Sequence, residues 1–316
     1  MSRVLVTGAF GNLGQLVVRE LVSRGHHVVV LGRDKPANRR RAATLGGDVV
    51  WGDVRSADFG ALVADVDAVI HLAGVLPPVT EREPELAEAI NVDATLRLVD
   101  AVERAPRSPL LVYPSSVTVF GLPTLPVPRA ATDPVRPSDT YTRHKVTIEE
   151  RLRAGGTRHV ILRVGVSVDR RTLRTDPATF RQLLRTAPDN PLEYVHPADV
   201  ARAMANAIDT PAAVGRTLLI GGGPACQVTQ HEFMSAALEA AGIRLPRDLM
   251  GSEPFYTHWM DTAEAEEVLR FQTRTFADYR AELRTALRWV RPVVRPVAPL
   301  VVAALRRWVR AAAPAG

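Results

Sequence analysis

The chain has 316 residues, 46% of them hydrophobic and 23% charged, which is typical of a globular protein with one large domain or two closely joined ones. Its net charge of +6 lies entirely in the last stretch, where six arginines after residue 284 occur without any acidic residue. Because the rest of the chain is neutral, the composition argues against a nucleic-acid-binding protein. The single cysteine, Cys226, excludes an intramolecular disulfide, and no apolar run approaches the ~20 residues that span a bilayer, so we expect a cytoplasmic protein.

The first two hundred residues alternate short apolar runs with longer amphipathic ones. The apolar runs are rich in Val, Ile and Leu, which predicts parallel strands buried on both faces: 3–7, 27–31, 48–51, 68–73, 110–114 and 159–163. The segments between them predict helices: 12–24, 56–64, 84–104 and 139–154. This alternation predicts an α/β fold with a doubly wound parallel sheet of the Rossmann type.

Two stretches depart from this alternation. Residues 121–138 contain five prolines and predict a long ordered loop. From about residue 166 the pattern becomes irregular before it returns to the sheet. We therefore expect a Rossmann domain over 1–165 that is re-entered at about 194–222, a small, mainly helical substrate cap made of 166–193 and 223–287, and a basic apolar tail over 288–316.

A glycine triplet follows the first predicted strand and opens the first predicted helix. In the segment VLVTGAFGNLG, Gly8 permits a tight turn, Gly11 lets a pyrophosphate approach the backbone, and Gly14 allows the helix to pack closely on the strand. The position between strand and helix predicts a dinucleotide-binding site. The alternative is a structural turn in another doubly wound fold.

Lysine is rare in this chain, since only Lys35 and Lys145 among the 40 basic residues are lysine. Lys145 follows Tyr141 by four positions, so the two share one helix face. A free phenol has a pKa of about 10, and a nearby ammonium is expected to lower it toward neutral pH. Lysine also donates to vicinal hydroxyls as a compact charge, which the planar guanidinium of arginine does not. The pair predicts acid–base chemistry, and the alternative is an exposed Tyr–Lys pair.

With the spacing TGxxGxxG and the segment YTRHK, the chain resembles the extended short-chain dehydrogenase/reductase family, and within it the NAD(P)-dependent epimerase/dehydratase group. Further matching segments are GDV (52–54), HLAG (71–74), NVDATLRLVDA (91–101), SSVTVFG (115–121) and VHPADVARA (195–203), so the resemblance runs to about residue 285. It implies a nicotinamide dinucleotide held by these residues: Gly8, Phe10, Gly11, Asn12, Leu13, Gly14, Arg33, Asp53, Val54, Leu72, Ala73, Gly74, Tyr141 and Lys145.

The resemblance also implies a catalytic set of Ser116, Tyr141 and Lys145, supported by Asn91. Tyr141 would exchange a proton with a substrate hydroxyl or carbonyl while a hydride passes to or from the nicotinamide. Ser116 would hold the reacting oxygen, and Lys145 the nicotinamide ribose. Ser115 is the alternative to Ser116, and Asn91 could equally cap a helix. The implied activity is that of an oxidoreductase acting on a ketone or secondary alcohol.

Two other functions stay open. One is an epimerase or dehydratase of a sugar-like substrate that reduces its cofactor only transiently, and the other is a non-catalytic dinucleotide-sensing protein. The intact Ser/Tyr/Lys set favours an enzyme. Where sugar-nucleotide enzymes of the family continue with Tyr-Gly-Pro, this chain has VSVDRR after ILRVG, and its insert 169–193 is short. These departures weaken the case for a nucleotide-sugar substrate.

The end of the second predicted strand bears on the choice between NAD and NADP. A carboxylate there would bind the adenosine ribose and repel a 2′-phosphate, whereas this chain has Gly32 and Arg33. A guanidinium suits a 2′-phosphate, so we expect NADP rather than NAD, unless these arginines form a solvated surface cluster. Asp34 is expected in a turn. Asp53 is expected near the adenine, or alternatively in a strand-end turn.

His196 and Asp199 could suggest a catalytic or metal site. We expect instead that Asp199 caps a helix and orders the cap, and that the protein holds no metal, since no His, Cys or Asp grouping has metal-ligand spacing.

The tail combines Leu, Val and Trp with clustered arginine. Its prolines, Pro292, Pro296 and Pro299, are expected to prevent any helix before Leu300. The segment could lie peripherally on an anionic membrane surface. Alternatively it packs on the cap or on a second subunit, which would make a homodimer.

Overall fold

The computed structural model describes residues 1–123, 128–174 and 177–310. Its strands are, in chain order, β1 (Arg3–Thr7), β2 (His27–Gly32), β3 (Asp48–Trp51), β4 (Ala68–His71), β5 (Leu110–Ser116), β6 (His159–Val164), β7 (Pro191–Glu193), β8 (Thr217–Ile220) and β9 (Gln227–Thr229). Seven of these form a parallel sheet in the order β3-β2-β1-β4-β5-β6-β8, and β7 and β9 form a separate antiparallel pair. The predicted doubly wound parallel sheet is thereby confirmed.

Helices connect the strands in the alternation that the sequence predicts. They are α1 (Asn12–Ser23), α2 (Pro36–Leu45), α3 (Phe59–Val63), α4 (Val79–Arg82), α5 (Pro84–Glu88), α6 (Ala94–Arg104), α7 (Thr140–Ala154), α8 (Pro177–Arg185), α9 (Pro197–Asp209), α10 (Gln230–Ala240), α11 (Ala263–Leu269), α12 (Phe276–Ala286), α13 (Arg291–Val294) and α14 (Ala298–Arg310).

Three helices differ from the expectation for physical reasons. Helix α2 has no predicted counterpart because only Leu45 of its residues is buried, so it shows no apolar stripe. Helix α3 is shorter than predicted because the Asp58 side chain accepts a hydrogen bond from the Ala61 amide and sets its start. The predicted helix over 84–104 is divided by a π-helical turn, Ala89–Asp93.

Side chains on the two faces of the sheet enter different cores. In β1, Val4 and Val6 pack with α1 and α9, whereas Leu5 faces a second core formed with α3, α6 and α7. The near-continuous apolar strands are explained by this burial on both faces. Because both faces of the sheet are covered, a ligand site is expected at the carboxyl ends of its strands.

The described part of the proline-rich segment after the gap, residues 128–138, is bonded to the chain before α11. Residues 124–127 lie outside the described part of the chain. Arg129 donates its backbone N–H to the Trp259 carbonyl and accepts one from Asp261, each over 2.8 Å. These two bonds fasten the described end of the loop to the strand-like segment before α11.

After residue 166, α9 and β8 pack in the sheet core, and other segments form two further clusters. One gathers the aromatic residues Tyr194, Phe276 and Tyr279, and the other joins α8 and α10. Residues of α11, which the expected cap range 223–287 includes, instead pack in the sheet core through Ala265 and Leu269. The division into a Rossmann domain and a cap therefore stays a proposal, in which α11 belongs with the sheet.

The tail is helical earlier than its prolines suggest. Helix α13 and a 3₁₀ turn, Arg295–Val297, precede α14, which itself includes Pro299. The expectation that no helix forms before Leu300 is wrong, because proline is tolerated in the first turn of a helical segment, where its missing N–H would be unpaired. Within residues 1–123, 128–174 and 177–310, no helix is both long and apolar enough to cross a membrane.

Candidate active site

A cavity of about 610 Å³ opens at the carboxyl edge of the sheet, between β1, β4, β5 and β6. Its lining brings together most of the residues that the sequence singles out: Gly8, Gly11, Asn12, Leu13, Gly14, Leu72, Ala73, Gly74, Asn91, Ser116, Tyr141 and Lys145. Four predicted cofactor residues do not line it: Phe10, Arg33, Asp53 and Val54.

The glycine triplet forms a cradle in which two of the three positions, Gly8 and Gly14, have no space for a side chain. Gly8 has φ +68°, and a Cβ atom there would lie 2.5 Å from the backbone of Leu72. A Cβ atom on Gly14 would lie 2.3 Å from the Gly8 carbonyl oxygen, so α1 packs against the turn only because residue 14 is glycine. Gly11 precedes α1 without any side-chain cap. The first amides of α1 are therefore free of a side-chain partner and suited to an anion.

The polar groups of the predicted catalytic set meet at the end of β5. Lys145 donates a hydrogen bond from Nζ to the Pro114 carbonyl over 2.6 Å, and its Nζ lies 5.7 Å from the ring centroid of Tyr141. Ser116 Oγ lies 2.8 Å from Thr118 Oγ1. Helix α7 places Tyr141 and Lys145 on one face, and the Asp139–Thr142 capping box fixes where that helix starts.

The electrostatics of Tyr141 differ from the expectation. Burial raises the pKa of Tyr141 to about 12, and a hydrogen bond from Ser116 only partly opposes this rise. The expected lowering by Lys145 is wrong for the structure described here, because burial dominates and the ammonium is held on the Pro114 carbonyl. At neutral pH the phenol therefore carries its proton and is a proton donor.

Lys145 is supported from behind by a buried ion pair. Burial lowers the pKa of Lys145 to about 8, while the charge of Glu149 opposes this. Glu149, one turn further along α7, receives hydrogen bonds from Arg163 Nε over 3.0 Å and Nη2 over 2.7 Å. Burial would raise the pKa of Glu149, but these bonds outweigh it and hold the pKa below its usual value. The carboxylate behind the lysine is thus ionised and is itself paired with arginine.

Asn91 lies in the π-helical turn and joins two segments of the cavity wall. Its side-chain amide donates to the Val75 carbonyl over 2.9 Å, and its Oδ1 accepts from the Val75 amide over 2.8 Å. The helix-capping alternative is wrong, because neither end of the π turn has a side-chain cap. Asn91 holds the loop after β4 in place instead.

His71 lines the cavity, although its sequence context gave it no role. Its Nδ1 lies 2.8 Å from Thr7 Oγ1, and its Nε2 lies 2.9 Å from Thr95 Oγ1. Burial lowers the pKa of His71 to about 3, and the charge of Lys145 adds to this effect, so the imidazole is neutral. Its position in the HLAG segment at a strand end was the one available signal.

The four residues outside the cavity have separate contacts, and only Phe10 packs beside the end of β2. The Phe10 ring stacks on Trp51 at a centroid distance of 5.6 Å and fills the space where a side chain on Gly32 would lie. Asp53 is held by Arg55 through two bonds of 3.0 Å, which lower the pKa of Asp53 to about 2. This geometry favours the strand-end turn over adenine contact for Asp53.

Val54 and Arg33 are the other two predicted cofactor residues outside the cavity. Arg97 donates a hydrogen bond to the Val54 carbonyl over 3.0 Å, and Arg33 is exposed at the end of β2. Two of the neighbouring arginines are engaged elsewhere. Arg39 pairs with Asp34 over 2.6 Å, and Arg41 donates to the Phe10 carbonyl over 3.1 Å.

An ion pair that the sequence pattern did not reveal closes one side of the cavity. Arg171 donates to Asp169 over 2.8 Å through Nε and reaches Asn12 Oδ1 over 3.0 Å through Nη1. The segment VSVDRR, noted as a departure from the family, thus connects the chain after β6 with the start of α1. The contact spans 159 positions of sequence, so no local pattern predicts it.

His196 and Asp199 have structural contacts. His196, rather than Asp199, caps α9, since its Nδ1 accepts from the Ala198 amide. Asp199 accepts from the backbone amides of Thr273 and Arg274, which orders the segment before α12. Among the residues that the structure describes, no three or more His, Cys, Asp or Glu side chains form a group that could hold a metal ion.

The chain is similar to enzymes of one family. It is 30% identical over 171 residues to a UDP-glucose 4-epimerase from Streptomyces lividans, covering 52% of this chain and 51% of that protein. It is 31% identical over 160 residues to a 3-beta-hydroxysteroid dehydrogenase from Mycolicibacterium neoaurum, covering 48% and 42%. The chain therefore spans about half the length of these curated relatives.

The fold has a close counterpart among solved structures. A UDP-glucuronic acid 4-epimerase mutant from Bacillus cereus, in complex with NAD and a fluorinated UDP-sugar, superposes with a TM-score of 0.75 at 19% identity, covering 91% of this chain and 99% of that one. This likeness confirms the fold. The model of the NAD dependent epimerase/dehydratase family matches residues 4–176, more than half of the chain, so the inferred resemblance is confirmed and the chain belongs to the NAD dependent epimerase/dehydratase family.

Proposed function

We propose that the chain is a nicotinamide-dinucleotide-dependent oxidoreductase that interconverts a ketone and a secondary alcohol in a small-molecule substrate. One observation supports this most strongly: the glycine cradle and the side chains of Ser116, Tyr141 and Lys145 line the same cavity. A phosphate-binding turn and a proton donor in one cavity are the parts that hydride transfer to or from a carbonyl carbon requires of a protein.

The residues present fit a dinucleotide. Gly11 leaves its side of the turn open toward the cavity, since a Cβ atom there would meet only the Gly8 carbonyl oxygen at 3.2 Å. Helix α1 starts beside it without a side-chain cap, which suits a pyrophosphate. Leu72, Ala73 and Gly74, at the end of β4, would hold the central part of the group, and Lys145 the nicotinamide ribose. When bound, the nicotinamide supplies or accepts the hydride.

The protein's own part of the reaction is proton transfer and orientation. Because the pKa of Tyr141 lies at about 12, its phenol would donate a proton to the carbonyl oxygen of a ketone. Ser116, whose hydroxyl bonds the phenol, would hold the same oxygen. Lys145 would stabilise the phenolate that remains, and the charge of Glu149 opposes the lowering of the Lys145 pKa by burial.

For the cofactor we propose NADP. No carboxylate is free at the end of β2: Gly32 has no side chain, Phe10 fills the space above it, and Asp34 is paired with Arg39. The exposed guanidinium of Arg33 is available to a 2′-phosphate. The B. cereus structure contains NAD, so NAD is the alternative, and the free energies of binding decide between them.

A second candidate is epimerisation of a nucleotide sugar. The S. lividans relative is named a UDP-glucose 4-epimerase, and such a reaction uses the same proton and hydride transfers in both directions. The ion pair between Asp169 and Arg171 lies on the side of the cavity formed by the segment after β6. The segment VSVDRR, which contains this ion pair, stands where sugar-nucleotide enzymes of the family have Tyr-Gly-Pro. This difference favours the first candidate.

The test is a panel of ketones, secondary alcohols, hydroxysteroids and UDP-sugars, each with NADPH or NADH and with the oxidised forms. Hydride transfer is followed by the near-ultraviolet absorbance of the reduced nicotinamide, and epimerisation by chromatography of the UDP-sugars. A net change in reduced nicotinamide with a simple ketone or alcohol supports the oxidoreductase. Conversion of a UDP-sugar without such a change supports the epimerase, and the absence of both with bound dinucleotide would leave a sensing protein.

A further inference from the structure

The tail has two apolar faces, of which only one is covered. The inner stripe, formed by Val302, Leu305, Trp308 and Val309, packs against the cluster of α8 and α10. The outer stripe, formed by Trp289, Val293, Val297 and Leu300, is 77%, 73%, 43% and 71% exposed. Its spacings of four, four and three residues place it along one side of the helical segment. The inner stripe fixes the tail to the cap and leaves the outer stripe facing solvent.

Large exposed apolar side chains are concentrated in this segment. Those found elsewhere in the described residues, such as Val22 and Val50, occur singly along the chain, whereas Val290 and Val301 extend the outer stripe. Scattered exposed apolar residues need no explanation, but a contiguous patch indicates an interaction surface.

The charge around the outer stripe has a single sign. Arg288 and Arg307 are exposed in the same segment, whereas Arg291 and Arg295 are exposed with their stems near Gly242, and the chain contains no acidic residue after Glu282. The Arg288 guanidinium lies 5.3 Å from the ring centroid of Trp289, so a cation and an indole are presented together. Arg306 is the exception, since it pairs with Asp248 over 2.9 Å and fastens α14 to the cap.

We infer that the outer stripe binds an anionic phospholipid surface. Trp, Val and Leu enter the interfacial region of a bilayer, and flanking arginines add attraction to acidic headgroups. A second copy of this chain fits the surface less well, because a two-fold contact would bring the arginines of both copies together without an acid to pair them. The tail would be the part of the protein that contacts the membrane, and no tail residue that the structure describes lines the cavity.

The test uses full-length protein and sedimentation with two kinds of vesicle, one of phosphatidylcholine alone and one of phosphatidylcholine and phosphatidylglycerol in equal parts. We expect binding to the second kind only, weakened as NaCl rises from ~50 to ~500 mM. The variant Val293→Ser/Leu300→Ser should lower the partition coefficient about tenfold or more, because it removes apolar contact. The matched control Val22→Ser/Val50→Ser changes exposed apolar residues outside the tail and should bind like the parent.

A second pair of variants tests the charge. Arg288→Gln/Arg307→Gln should weaken binding, whereas Arg104→Gln/Arg244→Gln, which lowers the net charge equally, should leave it near the parent value. All substituted side chains are exposed, so melting temperatures should stay within a few degrees. The inference is overturned if the full chain ignores anionic vesicles, if neutral vesicles bind it equally, or if stripe and control variants behave alike. A concentration-dependent dimer that Val293→Ser/Leu300→Ser abolishes would assign the surface to a second copy instead.

Discussion

Two regions of this molecule are stabilised by different forces. The sheet half consists of the seven-stranded sheet and the helices packed on it, and the later half consists of the two clusters around α8, α10 and α12. In the sheet half, apolar side chains fill both faces, and the site is shaped by backbone and glycine, as the close approach of Gly14 to Gly8 shows. The junction with the later half relies on buried carboxylates. Glu193 accepts from the Met260 and Gly223 amides over 2.7 and 3.1 Å, and Asp199 accepts from Thr273 and Arg274. We therefore expect this junction to respond to pH through its buried carboxyl groups.

The largest expected effect concerns catalysis in the sheet half. Tyr141→Phe should lower turnover ~10²–10⁴-fold on an accepted substrate and change dinucleotide affinity only a few fold, because the ring still packs and only the proton is lost. The matched control is Tyr113→Phe, which removes a buried phenol on β5 that does not line the cavity. Turnover measured with both variants decides the point: equal losses would show that Tyr141 is not the proton donor.

The sheet half contains a buried ion pair between Arg163 and Glu149, and breaking it measures how much the stability of that half depends on the pair. Arg163→Met removes the two bonds to Glu149 and leaves a buried carboxylate with Arg153 alone, which should lower the free energy of unfolding by ~3–5 kcal/mol. The exposed pair Arg107–Asp67 is the control, where Arg107→Met should cost ~0–1 kcal/mol. Urea unfolding compares them, and similar small losses would contradict the assigned weight of the buried pair.

The junction should respond to pH through Glu193. Burial raises the pKa of Glu193 to about 7, and the backbone bonds that it accepts only partly oppose this. Since the folded protein binds this proton more tightly than the unfolded chain does, stability is highest below the unfolded pKa and falls as pH rises through about 7, by up to ~3 kcal/mol. The Glu193→Gln variant should lose less stability over this range.

Thermal melts at pH values across that window test the junction. The exposed carboxylate of Glu264 provides the control, and Glu264→Gln should follow the parent. Parallel curves for the parent and Glu193→Gln would show that the junction does not titrate there.

The smallest effect concerns cofactor choice at the rim of the sheet half. Arg33→Ala should weaken NADPH about tenfold and leave NADH unchanged, because a guanidinium contributes only to a 2′-phosphate. Arg40→Ala is the neighbouring exposed control. Fluorescence titration of both cofactors provides the affinities, and an unchanged ratio after Arg33→Ala would remove Arg33 from the site.

Features set by local sequence patterns could be predicted, whereas contacts between distant parts of the chain could not. The glycine turn, the strands and the i, i+4 pair of Tyr141 and Lys145 are local patterns whose geometry follows from the backbone, and the structure brings them to one cavity. The bond from Arg171 to Asn12 and the packing of α11 on the sheet join distant parts of the chain, which no local pattern encodes. The pKa of Tyr141 was mispredicted for a related reason, since burial depends on the whole fold.

The central claim, that the cavity beside the glycine cradle holds a dinucleotide, is tested most directly by NADPH and NADH titrations of a Gly11→Leu variant. Gly11 has φ −70°, and a Cβ atom there would meet only the Gly8 carbonyl oxygen at 3.2 Å, so a leucine is tolerated by the fold yet enters the cavity. We predict at least ~100-fold weaker binding of both cofactors with a melting temperature within a few degrees of the parent. The control Gly156→Leu, at a turn with open space around it, should bind like the parent. Unchanged affinity in Gly11→Leu, or no binding by the parent chain, would contradict the assignment.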